Sequence, residues 1–162
     1  MLSPVSGFGS RKPFNPDPWL HVRLWRNFLI IDDEILVRNT FIRYFSKLNP
    51  SLKDYFEISE ASNPLEAINL IYEGFLNKKE IDVIIVDEYM PFMKGSTFIR
   101  FLNQMNNEGF FNKLLIISHT AFDSPEMRLY IKNSGADVIW NKPISFEDFQ
   151  SFVSNLWNIK VY

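Results

Sequence analysis

Five short apolar runs, each closed by polar or turn-forming residues and followed by an amphipathic stretch, constrain this chain more than any other feature. The first, Phe28-Leu29-Ile30-Ile31, is stopped abruptly by Asp32-Asp33-Glu34. A strand that is apolar on both sides needs cover on both faces, the situation of a central strand in a parallel sheet. Phe56-Glu57-Ile58, residues 81–86 ending at Asp87, residues 114–117 and Val138-Ile139-Trp140 are the other four. The intervening stretches read as helices. Residues 35–48 place Ile35, Leu36, Phe41, Ile42, Phe45 and Leu48 at helical spacing, and Asn49-Pro50 ends that helix. Asn63-Pro64 is an N-cap with proline in the first helical position, leading into residues 65–74. Residues 98–105 follow, then a helix opened by Ser124-Pro125-Glu126 and closed by Gly135, and a last one over residues 146–157. The alternation predicts an α/β chain built as a doubly wound (βα)5 sheet with helices on both faces.

One domain accounts for nearly all of the 162 residues: an N-terminal extension at 1–26, the folded domain at 27–158, and a tail at 159–162. Residues 1–18 carry Pro4, Pro13, Pro16, Pro18, Gly7 and Gly9, a density that forbids long regular structure. Trp19, Leu20, Leu24 and Trp25 form a short amphipathic piece that packs back onto the domain or binds another protein, and His21 within it reads as a surface residue. A net charge of −2 argues against a direct nucleic-acid partner. The absence of cysteine removes disulfides, thiolate metal sites and a cysteine nucleophile. No apolar run reaches the roughly 18 residues that span a bilayer, and no signal-peptide core precedes residue 27. A cytoplasmic location is the expectation.

In open α/β sheets, ligands bind beyond the carboxyl ends of the strands, where the strand order reverses. The first strand ends in Asp32-Asp33 and the third in Asp87, while the fourth leads to Thr120 and the fifth to Lys142-Pro143. Three carboxylates, a hydroxyl and an ammonium would then share one crevice. Carboxylates so placed repel one another unless a hard cation lies among them, and oxygen donors suit Mg²⁺. The cation, Lys142 and Thr120 could together hold the oxygens of a phosphoryl group in transfer, with Asp87 free to act as its nucleophile.

Four pieces of sequence carry a resemblance to a known family: Phe28-Leu29-Ile30-Ile31-Asp32-Asp33; Val86-Asp87-Glu88-Tyr89-Met90-Pro91-Phe92-Met93-Lys94-Gly95; Ser118-His119-Thr120-Ala121; and Asn141-Lys142-Pro143. In this order and spacing, over about residues 27–158, the chain resembles the receiver domains of two-component response regulators. The resemblance implies a flavodoxin-like sheet with strand order 2-1-3-4-5. It implies that Asp87 is the phosphoacceptor. Asp33 would bind Mg²⁺ directly, Asp32 often through water, and the backbone carbonyl of Tyr89 would supply another ligand. Thr120 and Lys142 would engage the phosphoryl oxygens. The Lys142-Pro143 peptide is expected to be cis, and Gly95 to take a positive φ in the loop that Pro91 also shapes. The implied partner is a histidine kinase or a histidine phosphotransfer protein, and the face of the fourth predicted helix, fifth strand and last helix is where such domains pair as homodimers. A receiver promotes its own phosphorylation and dephosphorylation and is otherwise no enzyme.

The departures point to two further readings. Ile139 stands where the family carries a switching Tyr or Phe, which keeps open a pseudo-receiver that binds partners without being phosphorylated. A Mg²⁺-dependent phosphatase with Asp87 as nucleophile would carry a second acid two residues on, where this chain has Tyr89. Tyr89 and Phe122 occupy the two positions that tune access of hydrolytic water in the family, and both are bulky. His119 reads as a variable side chain directed away from the acceptor, in preference to a proton relay. The Phe-rich helices, with Phe98, Phe101, Phe146, Phe149 and Phe152, record mainly core packing, with a few residues left for a partner face. No further domain follows the last helix in this sequence, which suits a single-domain regulator, a relay intermediate or one module of a longer protein.

Overall fold

The computed structural model describes residues 25–111 and 114–158. Among them five strands, β1 (Asn27–Ile31), β2 (Glu57–Ala61), β3 (Val83–Asp87), β4 (Leu115–Thr120) and β5 (Val138–Asn141), form one sheet in the order β2-β1-β3-β4-β5. Every pairing is parallel, so the doubly wound sheet and its strand order stand as expected. The helices are α1 (Ile35–Lys47), α2 (Pro50–Lys53), α3 (Pro64–Leu76), α4 (Gly95–Asn107), α5 (Pro125–Ser134) and α6 (Phe146–Asn158). The single turn α2 is an addition to the predicted set. Pro50 does end α1, but its fixed φ also suits a first helical position, and the Asn49 carbonyl accepts from the amides of Leu52 and Lys53.

Alternation along the strands divides the interior into two cores. Phe28, Ile30, Val83, Ile85 and Ile117 face α1 and α6, where they meet Phe41, Phe45, Phe149 and Val153. Leu29, Ile31, Ile84, Val86 and Ile116 face α3, α4 and α5, against Ala67, Phe98, Ile99, Leu102 and Ile131. The first core is aromatic: Phe28 meets Phe45 edge-on at 4.9 Å and Phe56 at 5.4 Å, and Phe45 meets Phe149 at 4.9 Å. Such contacts add about 0.5–1.5 kcal/mol each to what burial supplies.

The element ends repay attention where they differ from expectation. β2 begins at Glu57 and runs to Ala61, beyond the apolar Phe56-Glu57-Ile58, because an edge strand can carry the polar Ser59 and Glu60 on its half-exposed sides. Gly74 does not stop α3, which continues to Leu76 and is capped at Asn77. Asn63 and Ser124 cap α3 and α5 as predicted, accepting from Leu65 and Glu66 and from Met127, respectively, and Gly135 closes α5 at φ +114°. In α1 the expected stripe holds for Phe41 and Phe45, and Leu48 beyond it is buried, but Ile35, Leu36 and Ile42 are exposed. At 100° per residue these side chains point to the flanks and far side of the helix from Phe41 and Phe45. Phe98 and Phe149 are core residues, whereas Phe101 is largely exposed. Trp25 is buried in the α1–α6 core. Trp19, Leu20, His21 and Leu24, with the proline-rich stretch and the tail at 159–162, lie outside the described residues.

Candidate functional site

The carboxyl ends of β1 and β3 are neighbours in the sheet, and the acids at those ends come together. One carboxylate oxygen each from Asp32, Asp33 and Asp87 lies within 4.8 Å of the others. Asp32 and Asp87 are buried and Asp33 is exposed, so the cluster opens to solvent on the Asp33 side. Lys142, the residue directly after β5, reaches in to pair with both buried acids: Nζ lies 2.8 Å from Asp32 Oδ2 and 2.9 Å from Asp87 Oδ1. The Lys142-Pro143 peptide is cis, as expected.

Backbone bonds fix each of these groups. Asp32 donates its amide to the Ala61 carbonyl at 3.1 Å, while its Oδ1 accepts the Glu34 amide at 2.9 Å, a local turn that holds the carboxylate beside α1. The Lys142 amide donates to the Thr120 carbonyl at 2.8 Å, tying the ends of β4 and β5. Thr120 is fully buried at its strand end, and its Oγ1 accepts the Phe122 amide at 3.1 Å. Beyond it, Arg128 Nη1 donates to Asn141 Oδ1 at 2.9 Å and Asn141 donates to Asp123 Oδ1 at 3.0 Å, linking α5 to the residue beside Lys142.

The loop after Asp87 departs from expectation at one residue. Gly95 has no positive φ; the left-handed residue there is Phe92, at φ +76° and largely exposed. Glycine is needed at 95 for closeness instead. A Cβ at Gly95 would lie 2.0 Å from the Asp87 carbonyl oxygen, because the Gly95 amide donates to the Glu88 carbonyl at 2.8 Å and draws the start of α4 against the Asp87 backbone. Glu88, which sequence reasoning passed over, completes this junction. Its buried carboxylate accepts the Ser96 amide at 2.9 Å and the Ser96 hydroxyl at 2.7 Å, capping α4 where the helix dipole favours negative charge. An acid eight residues before a serine is no local cap signal, so only the folded loop reveals it.

Electrostatics follow from burial. Desolvation pushes the Asp87 carboxyl up to about 6; the Lys142 hydrogen bond opposes that rise and the Asp32 charge adds to it. Burial alone would lower the Lys142 ammonium, but the bonds and charges of Asp32 and Asp87 outweigh it and raise its pKa. His119, register partner of Asp87 in the adjacent strand, is buried edge-on to Phe41 at 5.0 Å. Desolvation, with the Lys142 charge in the same direction, brings its pKa to about 3, so the imidazole is neutral and part of the α1-side packing. Ile139 packs toward α5 and Trp140 toward α1 and α6, on opposite faces of β5.

Three clustered acids, the two buried ones paired with a single ammonium, form an oxygen-donor set that fits a hard divalent cation. With the site at the β1/β3 switch point of a parallel sheet, the class defined is a doubly wound α/β domain that carries its acidic site at the sheet's carboxyl edge. The chain matches the family model of the response regulator receiver domain over residues 28–154, and it belongs to that family. Receiver domains are in general signalling modules of two-component systems and typically bind Mg²⁺ at such an acidic cluster.

The sheet and helices superpose on solved receivers. A CheY-like receiver domain protein from Methanospirillum hungatei aligns with a TM-score of 0.64 and 17% identity over 82% of this chain and 94% of that one. The signal receiver domain of NarL from Mycobacterium tuberculosis gives 0.66 and 19% over 84% and 98%. Among curated sequences, the "Probable transcriptional regulator ycf29" of Cyanophora paradoxa is 26% identical over 132 residues, 82% of this chain and 56% of that protein. A 4-alpha-glucanotransferase of Thermococcus litoralis is 29% identical over 134 residues, 76% of this chain and 20% of that protein. The chain thus spans about a fifth and about half of these two relatives. Among the described residues no helix is long and apolar enough to cross a membrane.

Proposed function

We propose that this receiver takes a phosphoryl group on Asp87 from a phosphohistidine protein, either a histidine kinase or a histidine phosphotransfer protein. The observation that carries the reading is the Lys142 ammonium held between Asp32 and Asp87, the two buried members of the three-acid cluster. Asp33, Asp32, Asp87 and the Tyr89 carbonyl would hold Mg²⁺, which when bound neutralises charge on the transferring group. An Asp87 carboxylate oxygen attacks phosphorus in line; the P–O bond forms as the P–N bond to the donor imidazole breaks, and that imidazole leaves with its electron pair. Lys142 then pairs with a phosphoryl oxygen, and the Thr120 hydroxyl leaves the Phe122 amide to bond another. Such new contacts bias a pre-existing equilibrium of the surrounding loops, and about 1–3 kcal/mol of coupling makes a useful signal.

The domain proper is assigned to residues 27–158, with 1–26 as an extension and 159–162 as a tail. It acts in the cytoplasm through protein contacts, without direct nucleic-acid binding, and catalyses only its own phosphorylation and dephosphorylation. A homodimer through α5, β5 and α6 fits the exposure of Leu129 and Tyr130 on α5.

The test is intact mass after incubation with Mg²⁺ and acetyl phosphate. One added phosphate in the wild type, absent from Asp87→Asn and absent with EDTA, is the expected result. No phosphate on a folded wild type would leave a pseudo-receiver, for which Ile139 already speaks. The lifetime of the phosphorylated form is a second expectation. The Tyr89 and Phe122 rings meet at 4.9 Å, and Lys94 lies 5.7 Å from the Tyr89 ring. Bulky side chains at the two positions that tune access of hydrolytic water in the family favour a slow reaction, so phosphate loss should take hours, not minutes. Following the mass after donor removal checks this, and Tyr89→Asn should shorten the lifetime.

A further inference from the structure

Asp33 is exposed, yet a directly coordinating carboxylate has to be aimed before the ion arrives. What aims it is visible in the peptide that precedes it. Arg38, in the first turns of α1, folds back so that Nη1 donates to the Asp32 carbonyl oxygen at 2.7 Å. Its Nε faces Glu60 Oε1, at the end of β2, at 3.3 Å. The Arg38 side chain is only 15% exposed, so this is a seated guanidinium and not a surface arginine in passing contact. The Asp32 amide bond to Ala61 holds the Ile31–Asp32 peptide, and the Arg38 bond to the Asp32 carbonyl holds the Asp32–Asp33 peptide plane, which constrains the direction in which the Asp33 side chain leaves the backbone.

We infer that Arg38, held by Glu60, is a positioning residue that orients Asp33 for Mg²⁺. The inference rests on the receiver reading above, and it makes a prediction of unusual sign. A cation near three carboxylates repels a metal ion, so by Coulomb's law alone its removal should tighten Mg²⁺ binding. Loss of an orienting outer-shell contact does the opposite, typically by about 10- to 100-fold. The geometry favours the second effect, because Arg38 spends its nearest N–H on the loop carbonyl and another on Glu60.

The experiment is a Mg²⁺ titration of the full chain followed by the amide ¹⁵N shifts of Asp33 and Glu34, in the wild type, Arg38→Met, Arg38→Lys and Glu60→Gln. Arg38→Met should raise the half-saturating Mg²⁺ about tenfold, Arg38→Lys less, since it keeps one donor, and Glu60→Gln should shift it in the same direction. Phosphate uptake from acetyl phosphate should need correspondingly more Mg²⁺ in Arg38→Met and return to near the wild-type maximum at saturation. Should Arg38→Met fail to fold, Arg38→Lys and Glu60→Gln decide the matter by the same readout. A wild type without any Mg²⁺ response removes the receiver chemistry and this inference together. A wild type that binds Mg²⁺, with variants of equal or tighter affinity, overturns the role of Arg38 alone.

Discussion

Gly95→Ala should destabilise the protein by about 3 kcal/mol, among the larger effects a single methyl group can have. The added Cβ would stand 2.0 Å from the Asp87 carbonyl oxygen and 2.9 Å from its carbon, and 3.0 Å from the Glu88 Cα. All three are backbone atoms, so no side chain can rotate aside to make room. The start of α4 must lift from the end of β3, weakening the Gly95–Glu88 backbone bond and the Glu88–Ser96 cap together. Urea unfolding should register the loss as a lower midpoint at an unchanged slope. Phosphate uptake should fall as well, because displacing a reacting group by about 1 Å can cost on the order of 100-fold. Wild-type stability in Gly95→Ala would mean that the loop does not close so tightly on Asp87.

Asp87→Asn should do the reverse and stabilise the metal-free protein. The folded-state carboxyl sits at about 6, above its ordinary 3.8, so the folded form binds a proton more readily than the unfolded chain does between those values. Stability therefore falls as pH rises from about 4 to about 6 and is level above that. The rise corresponds to at most ~3 kcal/mol, and screening at the open rim reduces it to about 1–2 kcal/mol. Asparagine mimics the protonated form, and Lys142 keeps its bond to Asp32. In EDTA, the variant should gain about 1–2 kcal/mol over the wild type above pH ~7 and lose that advantage near pH 4. A constant difference across the range would show that Asp87 titrates normally.

Much of this architecture was legible because the central strands are apolar on both sides. Phe28-Leu29-Ile30-Ile31 has few alternatives to burial between two helical layers, and the acids that stop it necessarily fall at the sheet's carboxyl edge. The same logic placed Asp87 and Lys142 at that edge, whereas the ion pair between them is visible only in the folded site. Where the sequence misled, the cause was a tertiary relation that no local window contains. Ile35, Leu36 and Ile42 fall within the helical segment but point to the flanks and far side of α1, away from the face that Phe41 and Phe45 bury. Gly95 was assigned to a strained turn, when it answers to an atom eight residues earlier and Phe92 takes the strained φ. Glu88 and Arg38 act through partners at Ser96, Asp32 and Glu60 that only the folded loops bring near.

The placement of Trp140 has a spectroscopic consequence. Its indole stacks 6.3 Å from the Phe41 ring and meets Phe152 edge-on at 5.0 Å, within the layer that also encloses His119. An emission change from this tryptophan would therefore report loosening or tightening of the α1–α6 layer, while events confined to the α5 side, where Ile139 carries no chromophore, would pass unseen.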